Sequence, residues 1–392
     1  MQATASKVVR TACGQCYIGC GIKVRVENGV VVDIEGDASN PQNRGKMCAK
    51  GKAGFMNLYN PNRVTTPLKR TNPKKGLHED PGWQEISWDE ALSTIVTHLD
   101  RIRDNPKKLW IHAWDMLGDN FAWLAALGNA FGSTNINVAS SPNCGKVVHP
   151  VEFFSGGGFH QQPDLHYAKY VMLVGTQFGV ATRSALNHHA LDMAEARARG
   201  MKLVVVDPVG GHAAAKANEW IPIRPGTDGA MALSMLYVLL HELSIYDEPF
   251  LKSRTNAPYL VGPDGRYIRH PQSGKPQLWD AADATVKTYD APTLVDPVIK
   301  GSFEVQGKAC RPSFELVREH VLKYPPEVTE KWTTIPAATV RRMAREFGEA
   351  ACVGQTITID GVELPYRPAC IDWARGTQGH KHGFHNCWLF QL

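Results

Sequence analysis

Four cysteines constrain this chain more than any other feature. Cys13, Cys16, Cys20 and Cys48 stand at spacing C-x2-C-x3-C-x27-C. Thiolate is the soft donor that both iron–sulfur clusters and zinc use. Tetrahedral zinc sites more often take two CxxC pairs on two knuckles. Two-cluster ferredoxins pack four cysteines into one continuous run. Three ligands on one tight loop, with the fourth after a 27-residue gap, match neither. The spacing points first to one [4Fe–4S] cluster, with a zinc knuckle and free thiols as the remaining readings.

The residues between the third and fourth cysteines explain how the motif closes. Gly21 to Gly36 alternate apolar and polar residues about Asn28-Gly29, which predicts a β-hairpin with a type I′ turn. Such a hairpin brings the Cys48 loop back to the Cys13–Cys20 loop. Residues 1–62 are therefore read as a small cluster domain, followed by a connector holding Pro61, Pro67, Pro73 and Pro81.

The remaining 63–392 alternate strand and helix signals. Ser87-Trp88-Asp89-Glu90 is a capping box that opens a helix to about Arg103. Apolar runs at Leu109–Ala113, Tyr170–Gly175 and Lys202–Asp207 read as buried parallel strands. Helical patterns lie at Asn120–Phe131, Ala181–Arg199, Asp228–Leu243, Pro312–Tyr324 and Ala337–Ala350, with Gly132 and Gly200 just past two of them. The fold class is α/β: a small cluster domain with β-hairpins, then doubly wound parallel-sheet domains with helices on both faces. Residues from about 253 to 311 break the pattern and read as an irregular or β-rich insertion. Trp388 to Leu392 form an apolar run that looks like a helix beginning, so a chain continuing beyond this point is expected.

Composition excludes several classes. With 392 residues, 43% of them hydrophobic, the chain can build a large core in two or more domains. Nine cysteines in this length do not make a disulfide scaffold. The net charge of +5 is spread out, and Lys74-Lys75 and Arg341-Arg342 are short runs, so no nucleic-acid partner is expected. No stretch approaches the length of a membrane span. The N-terminus carries neither an apolar run nor a twin arginine, so no export signal is visible. A cytoplasmic chain is expected, free or held at the cytoplasmic membrane through partners.

Three strand ends look equipped for a ligand, because open parallel sheets bind at their carboxyl edge. They are Gly175-Thr176-Gln177, Asp207 with Gly210-Gly211, and Arg224-Pro225-Gly226-Thr227-Asp228. Glycines allow close backbone approach, helix N-termini hold phosphates, and a carboxylate accepts hydrogen bonds from a ribose or a guanine edge. Each loop alone is ordinary turn chemistry. Three in series, downstream of a cluster motif, favour a large nucleotide-containing cofactor.

With these motifs assembled, the chain resembles the molybdopterin oxidoreductases of the dimethyl-sulfoxide-reductase type along essentially its whole length. The likeness rests on the four-cysteine motif, Cys48-Ala-Lys50-Gly51, Arg63 through Pro67-Leu-Lys-Arg70, Ile86-Ser-Trp-Asp-Glu-Ala91 and Arg224-Pro-Gly-Thr-Asp228. It implies a [4Fe–4S] cluster and a molybdenum or tungsten ion between two molybdopterin guanine dinucleotides. Lys50 matches the lysine between cluster and pterin, a cation favouring the more negative forms of both. Gly175, Thr176, Gln177, Asp207, Gly226, Thr227 and Asp228 match guanine dinucleotide contacts. Cys144 falls where the family places a cysteine or selenocysteine metal ligand. His380, His382 and His385 lie in a segment that approaches the cofactor in relatives, and His385 is the candidate acid–base group.

The resemblance also implies an activity. It is a catalytic subunit performing two-electron oxidation, reduction or oxygen-atom transfer on a small or CoA-linked substrate. Electrons would pass by way of the cluster to an iron–sulfur partner subunit, and a further partner would be a membrane anchor. A non-redox hydratase or transhydroxylase on the same scaffold, and a complex I-like electron-transfer subunit, remain as alternatives. Gly145 stands where formate dehydrogenases carry a histidine, and residues 384–389 lack their arginine, so formate is disfavoured. The insertion near Asn256 looks like that of polysulfide and thiosulfate reductases and of phenylacetyl-CoA-type dehydrogenases. The family's C-terminal β-barrel is absent from these 392 residues.

Overall fold

The computed structural model describes residues 6–16, 18–113, 120–138, 147–158, 162–177, 186–373 and 375–392. The chain divides into two compact units: Met1–Pro150 with Phe178–Leu191, and Val151–Gln177 with Asp192–Leu392.

In the first unit, β1 (Ser6–Ala12), β2 (Gly21–Glu27) and β3 (Val30–Gly36) form an antiparallel sheet in that order. Glu27 pairs with Val30 across a two-residue loop. Asn28 and Gly29 both take positive φ (50° and 83°), as a type I′ turn requires. Strand β1 was not foreseen. All seven of its residues are exposed, so no buried alternation marks it in the sequence. Two short helices follow, α1 (Ala49–Lys52) and α2 (Gly54–Leu58). They are tied to β3 by Lys52 Nζ on Asp33 at 2.5 Å, and by the Val31 N–H donating to the Tyr59 hydroxyl at 2.7 Å.

Next come the hairpin of β4 (Leu68–Arg70) and β5 (Trp83–Glu85), then α3 (Trp88–Asp100). The Ser87 hydroxyl accepts the Glu90 N–H at 3.1 Å, which caps the helix. The other half of the expected capping box is missing. The Glu90 carboxylate takes the Lys69 ammonium at 3.0 Å instead, and the helix stops at Asp100, short of Arg103. Strands β6 (Trp110–Ala113) and β7 (Asn135–Val138) then pair in parallel, with α4 (Asn120–Phe131) between them in the chain.

Helices α5 (Val148–Gly156) and α6 (Leu186–Ala198) contain the boundaries between the units. The second unit holds β8 (Tyr170–Val174), β9 (Lys202–Val206) and β10 (Glu219–Ile221). Helix α7 (Asp228–Tyr237) does not run on to Leu243 as expected; from Val238 it widens into a π-helical turn. After α8 (Glu248–Arg254), small antiparallel pairings join β11 (Leu260–Val261), β12 (Gln277–Asp280), β13 (Thr285–Thr288), β14 (Phe303–Val305) and β15 (Lys308–Pro312). The anchor of this β-rich segment is Asp280, fully buried. Its carboxylate takes the Lys287 ammonium at 2.6 Å and the backbone N–H groups of Ala282, Val295 and Asp296, which together hold its pKa far below the usual carboxylate range.

Helices α9 (Ser313–Val321), α10 (Pro326–Thr333) and α11 (Ala337–Ala350) follow, then the hairpin of β16 (Thr356–Ile359) and β17 (Val362–Pro365). The chain then forms β18 (Ala369–Trp373), α12 (Arg375–Gln378) and α13 (Gly383–Leu389). Trp388 and Leu389 fall within α13, which begins at Gly383. Strand β18 returns beside β8, giving an all-parallel sheet of order β10-β9-β8-β18. Val171–Val174 and Leu203–Val206 are buried throughout, as strands covered on both faces must be. Among the described residues no single helix is long and apolar enough to cross a membrane.

Candidate cluster and cofactor sites

In the first unit, the Cys13 N–H donates to the Cys20 carbonyl at 2.8 Å and closes the three-cysteine loop. Cys20 and Ile18 are buried, with Cys13 and Cys16 packed against them. What returns the fourth cysteine is the fully buried Asn43, which sequence reasoning missed. Its amide accepts the Gly21 N–H at 2.9 Å and donates to the Gly21 and Lys46 carbonyls at 3.0 and 2.8 Å. One side chain thereby joins the end of the cysteine loop to the approach to Cys48.

Cys48 itself stands at the N-cap of α1. Cys13, Cys16, Cys20 and Cys48 line one small hollow together with Gln15, Met47 and Gly51. A methyl group at Gly51 would lie 2.6 Å from Met47 Cε and 3.3 Å from Cys13 Sγ, so a side chain there would displace the end of Met47 and crowd the thiol. The donors are four thiols, none in a disulfide, lining one hollow, and that donor set suits an iron–sulfur cluster. Lys50 is exposed, two residues beyond the last cysteine.

In the second unit, the carboxyl ends of four parallel strands meet along one edge. The order reverses at β8, whose neighbours β9 and β18 lead away in opposite directions, and such a switch point opens a crevice. Here Gly175 takes φ +58°. Its N–H donates to Val206 O and its carbonyl accepts from Gly376 N–H, both at 3.0 Å. A methyl group on Gly175 would sit 2.8 Å from Thr377 N, and one on Gly376 would sit 2.7 Å from Gly175 Cα. Two glycines let these backbones touch. The Thr377 hydroxyl pins the contact by donating to Val174 O at 3.0 Å.

The other expected residues lie along the same edge. The Gln177 amide rests on Gly211 and accepts the His212 N–H at 3.2 Å. Asp207 follows β9; its Oδ1 accepts the Val209 N–H at 2.8 Å, and Trp220 Nε1 donates to its carbonyl at 2.8 Å. Gly226 (φ +81°) turns the chain into α7 with the imidazole of His380 against it. Thr227 donates its hydroxyl to Arg224 O at 2.7 Å. Asp228 opens α7 only 5% exposed. Burial raises its pKa, the Asp207 charge adds to that rise and His380 opposes it.

All three histidines are exposed, and they differ in their neighbours: His380 lies against Gly226 and Asp228, whereas His385 sits on α13 with its ring beside His382 and Phe384. Cys144 lies outside the described residues. Sequence reasoning also missed the fourth strand end, Gly376-Thr377-Gln378. The residues fit a polar ligand, because Thr176 Oγ1 and both amide atoms of Gln378 are buried without partners. Each unpaired group costs about 1–3 kcal/mol unless something bonds it.

Two family descriptions match successive stretches of the chain. The description "Molybdopterin oxidoreductase Fe4S4 domain" matches residues 6–60, and "Molybdopterin oxidoreductase" matches residues 63–391. The chain is 30% identical to a sulfite dehydrogenase subunit of Allochromatium vinosum, over 96% of this chain and 41% of that protein. It is 27% identical to the molybdopterin-containing subunit of an arsenate respiratory reductase from Shewanella, over 91% and 38%. It is 31% identical to the molybdopterin-containing subunit of thiosulfate reductase from Salmonella typhimurium, over 62% and 31%. The chain thus spans less than half the length of these relatives. Among solved structures, acetylene hydratase from Pelobacter acetylenicus shares the fold, with TM-score 0.66 and 21% identity over 97% of this chain and 42% of that one.

Proposed function

This chain belongs to the molybdopterin oxidoreductase family, and from that premise we propose that it is part of the catalytic subunit of a molybdenum or tungsten bis-pterin oxidoreductase. The observation that carries the reading is the pairing of a four-thiol hollow with a parallel-sheet crevice edged by glycines, carboxylates and unpartnered amide and hydroxyl groups. Cys13, Cys16, Cys20 and Cys48 hold the [4Fe–4S] cluster, whose chemistry is one-electron relay. The bound metal–pterin centre supplies two-electron redox and oxygen-atom transfer chemistry, which the protein orients and tunes.

The chain's own residues have distinct parts in this reading. Gly175, Gly226 and the N-terminus of α7 allow backbone approach to the dinucleotide phosphates. Asp207 and Asp228 accept hydrogen bonds from guanine, and the buried, raised pKa of Asp228 favours a ligand that brings donors to it. Gln177 and Thr227 orient neighbouring polar groups. Lys50 places a positive charge beside the path between cluster and pterin. Cys144 supplies the metal thiolate. A histidine, His385 or the better-placed His380, moves protons at the substrate. An iron–sulfur subunit receives the electrons, a membrane anchor completes the assembly, and the site faces the cytoplasm.

Relatives named as dehydrogenases and reductases support a redox reaction on a small substrate over hydration or transhydroxylation. The likeness to acetylene hydratase concerns the fold alone. Metal analysis of the purified full-length protein tests the reading: neither molybdenum nor tungsten would sink it. Cys144→Ala should abolish turnover and spare the cluster signal. Retained turnover would remove Cys144 from ligation, and turnover without an external electron acceptor would favour the hydratase.

A further inference from the structure

The hollow among the four cysteines is lined by one polar side chain that ligation does not use. Gln15 lies between Cys13 and Cys16 in the chain and lines the hollow with them, Cys20, Cys48, Met47 and Gly51. Among these described residues it alone carries side-chain N–H groups. The Gln15 amide is held from α2. Asn57 Nδ2 donates to its Oε1 at 3.3 Å. Gly54, three residues before Asn57 and so on the same face of α2, lies so close that a methyl group on it would sit 3.4 Å from Gln15 Nε2. Helix α2 is fixed in turn by groups away from the thiols. The Arg63 guanidinium donates to the Asn57 carbonyl at 3.3 Å, and Tyr59, just past the helix, accepts the Val31 N–H of β3. The acceptor of the Gln15 amide is therefore taken up by Asn57, and its Nε2 donor has no partner among the described residues.

A free donor beside sulfur ligands has a definite effect. Reduction adds negative charge to a cluster, and an N–H donated to its sulfurs favours the reduced form. An exposed amide competes with water for that bond, so it contributes most where its orientation is set beforehand. Here Asn57 sets it. We propose that Gln15 donates its Nε2 N–H to a sulfur of the bound [4Fe–4S] cluster and so raises the reduction potential of the electron relay. Gln15 is a tuning residue and Asn57 a positioning residue; neither is a ligand. The inference rests on the cluster reading of the four thiols.

The test is a redox titration of the full-length protein, followed by electron paramagnetic resonance of the reduced cluster. Iron per chain and melting temperature are the controls. Gln15→Met and Gln15→Leu both fill the place of glutamine and donate nothing. At the wild-type midpoint, the ratio of reduced to oxidised cluster should fall about tenfold in each, which is 59 mV for one electron. Asn57→Ala should move the ratio the same way by about threefold, because the amide remains but loses its orientation. Iron should stay at the wild-type level in all three. A ratio within twofold of wild type in an iron-loaded Gln15→Met or Gln15→Leu overturns the inference and leaves the cluster standing. Loss of iron from both variants also overturns it, by making Gln15 a structural residue. An unchanged ratio in Asn57→Ala overturns the part given to Asn57. A wild-type protein that binds no iron overturns the inference and the cluster reading together.

Discussion

The two units build their sites in opposite ways. In the first, the thiols sit on loops attached to a three-stranded sheet whose β1 is wholly exposed, with Ile18, Cys20, Ile22 and Ile34 buried nearby. In the second, the expected contacts follow parallel strands, of which β8 is buried from end to end and β9 from Leu203 onward. A site on an exposed scaffold draws its order from what it binds; a site on a packed scaffold is shaped beforehand.

Breaking that comparison begins with the ligands. Cys20→Ser should cost more than tenfold in bound iron and strip hydrogen-exchange protection from β1–β3, while amides of β8 and β9 keep theirs. Equal loss in both sheets would end the distinction. Next in size is Gly175→Val, which forces a β-branched residue to positive φ and a methyl onto Thr377 N. It should destabilise the second unit by about 3 kcal/mol or more in denaturant melts; wild-type stability would show that the backbone contact yields.

A smaller effect sharpens the electrostatics. The folded pKa of Asp228 is raised above its ordinary 3.8, so its contribution to stability is whole below that pH and is lost as pH rises through the folded value. Asp228→Asn should therefore raise the melting temperature of the cofactor-free protein by a few degrees at pH 7. The gain should vanish near pH 3, and a gain independent of pH would reject burial of the charge as its cause. Smallest is Ser87→Ala on the exposed α3, about 0.5 kcal/mol by the loss of one cap bond. A change several times larger would mean that α3 supports more of the first unit than its exposure indicates.

How legible each site was follows from sequence distance. The cysteines, the Asn28-Gly29 turn and the Ser87 cap are local patterns in which each residue's role depends on neighbours a few positions away. Asn43 was not legible, because an asparagine in a polar loop looks the same whether its amide meets water or three backbone groups. Strand β18 escaped for a similar reason. Ala-Cys-Ile-Asp-Trp is short and mixed, and only its pairing with β8, some two hundred positions earlier, makes it a strand of the main sheet. With it went Gly376 and Gln378. The three histidines read alike in the chain, yet only His380 lies against Gly226 and Asp228.

The sequence by itself determined the thiol donor set, the α/β alternation and three of the four loops at the sheet edge. These rest on spacing, periodicity and turn chemistry, which act over a few residues. Only the tertiary structure decided that Asn43 closes the thiol hollow, that β18 completes the crevice and that Gln378 is left spare within it. Burial and the presence or absence of a hydrogen-bond partner are properties of the packed chain, set by residues far apart in sequence.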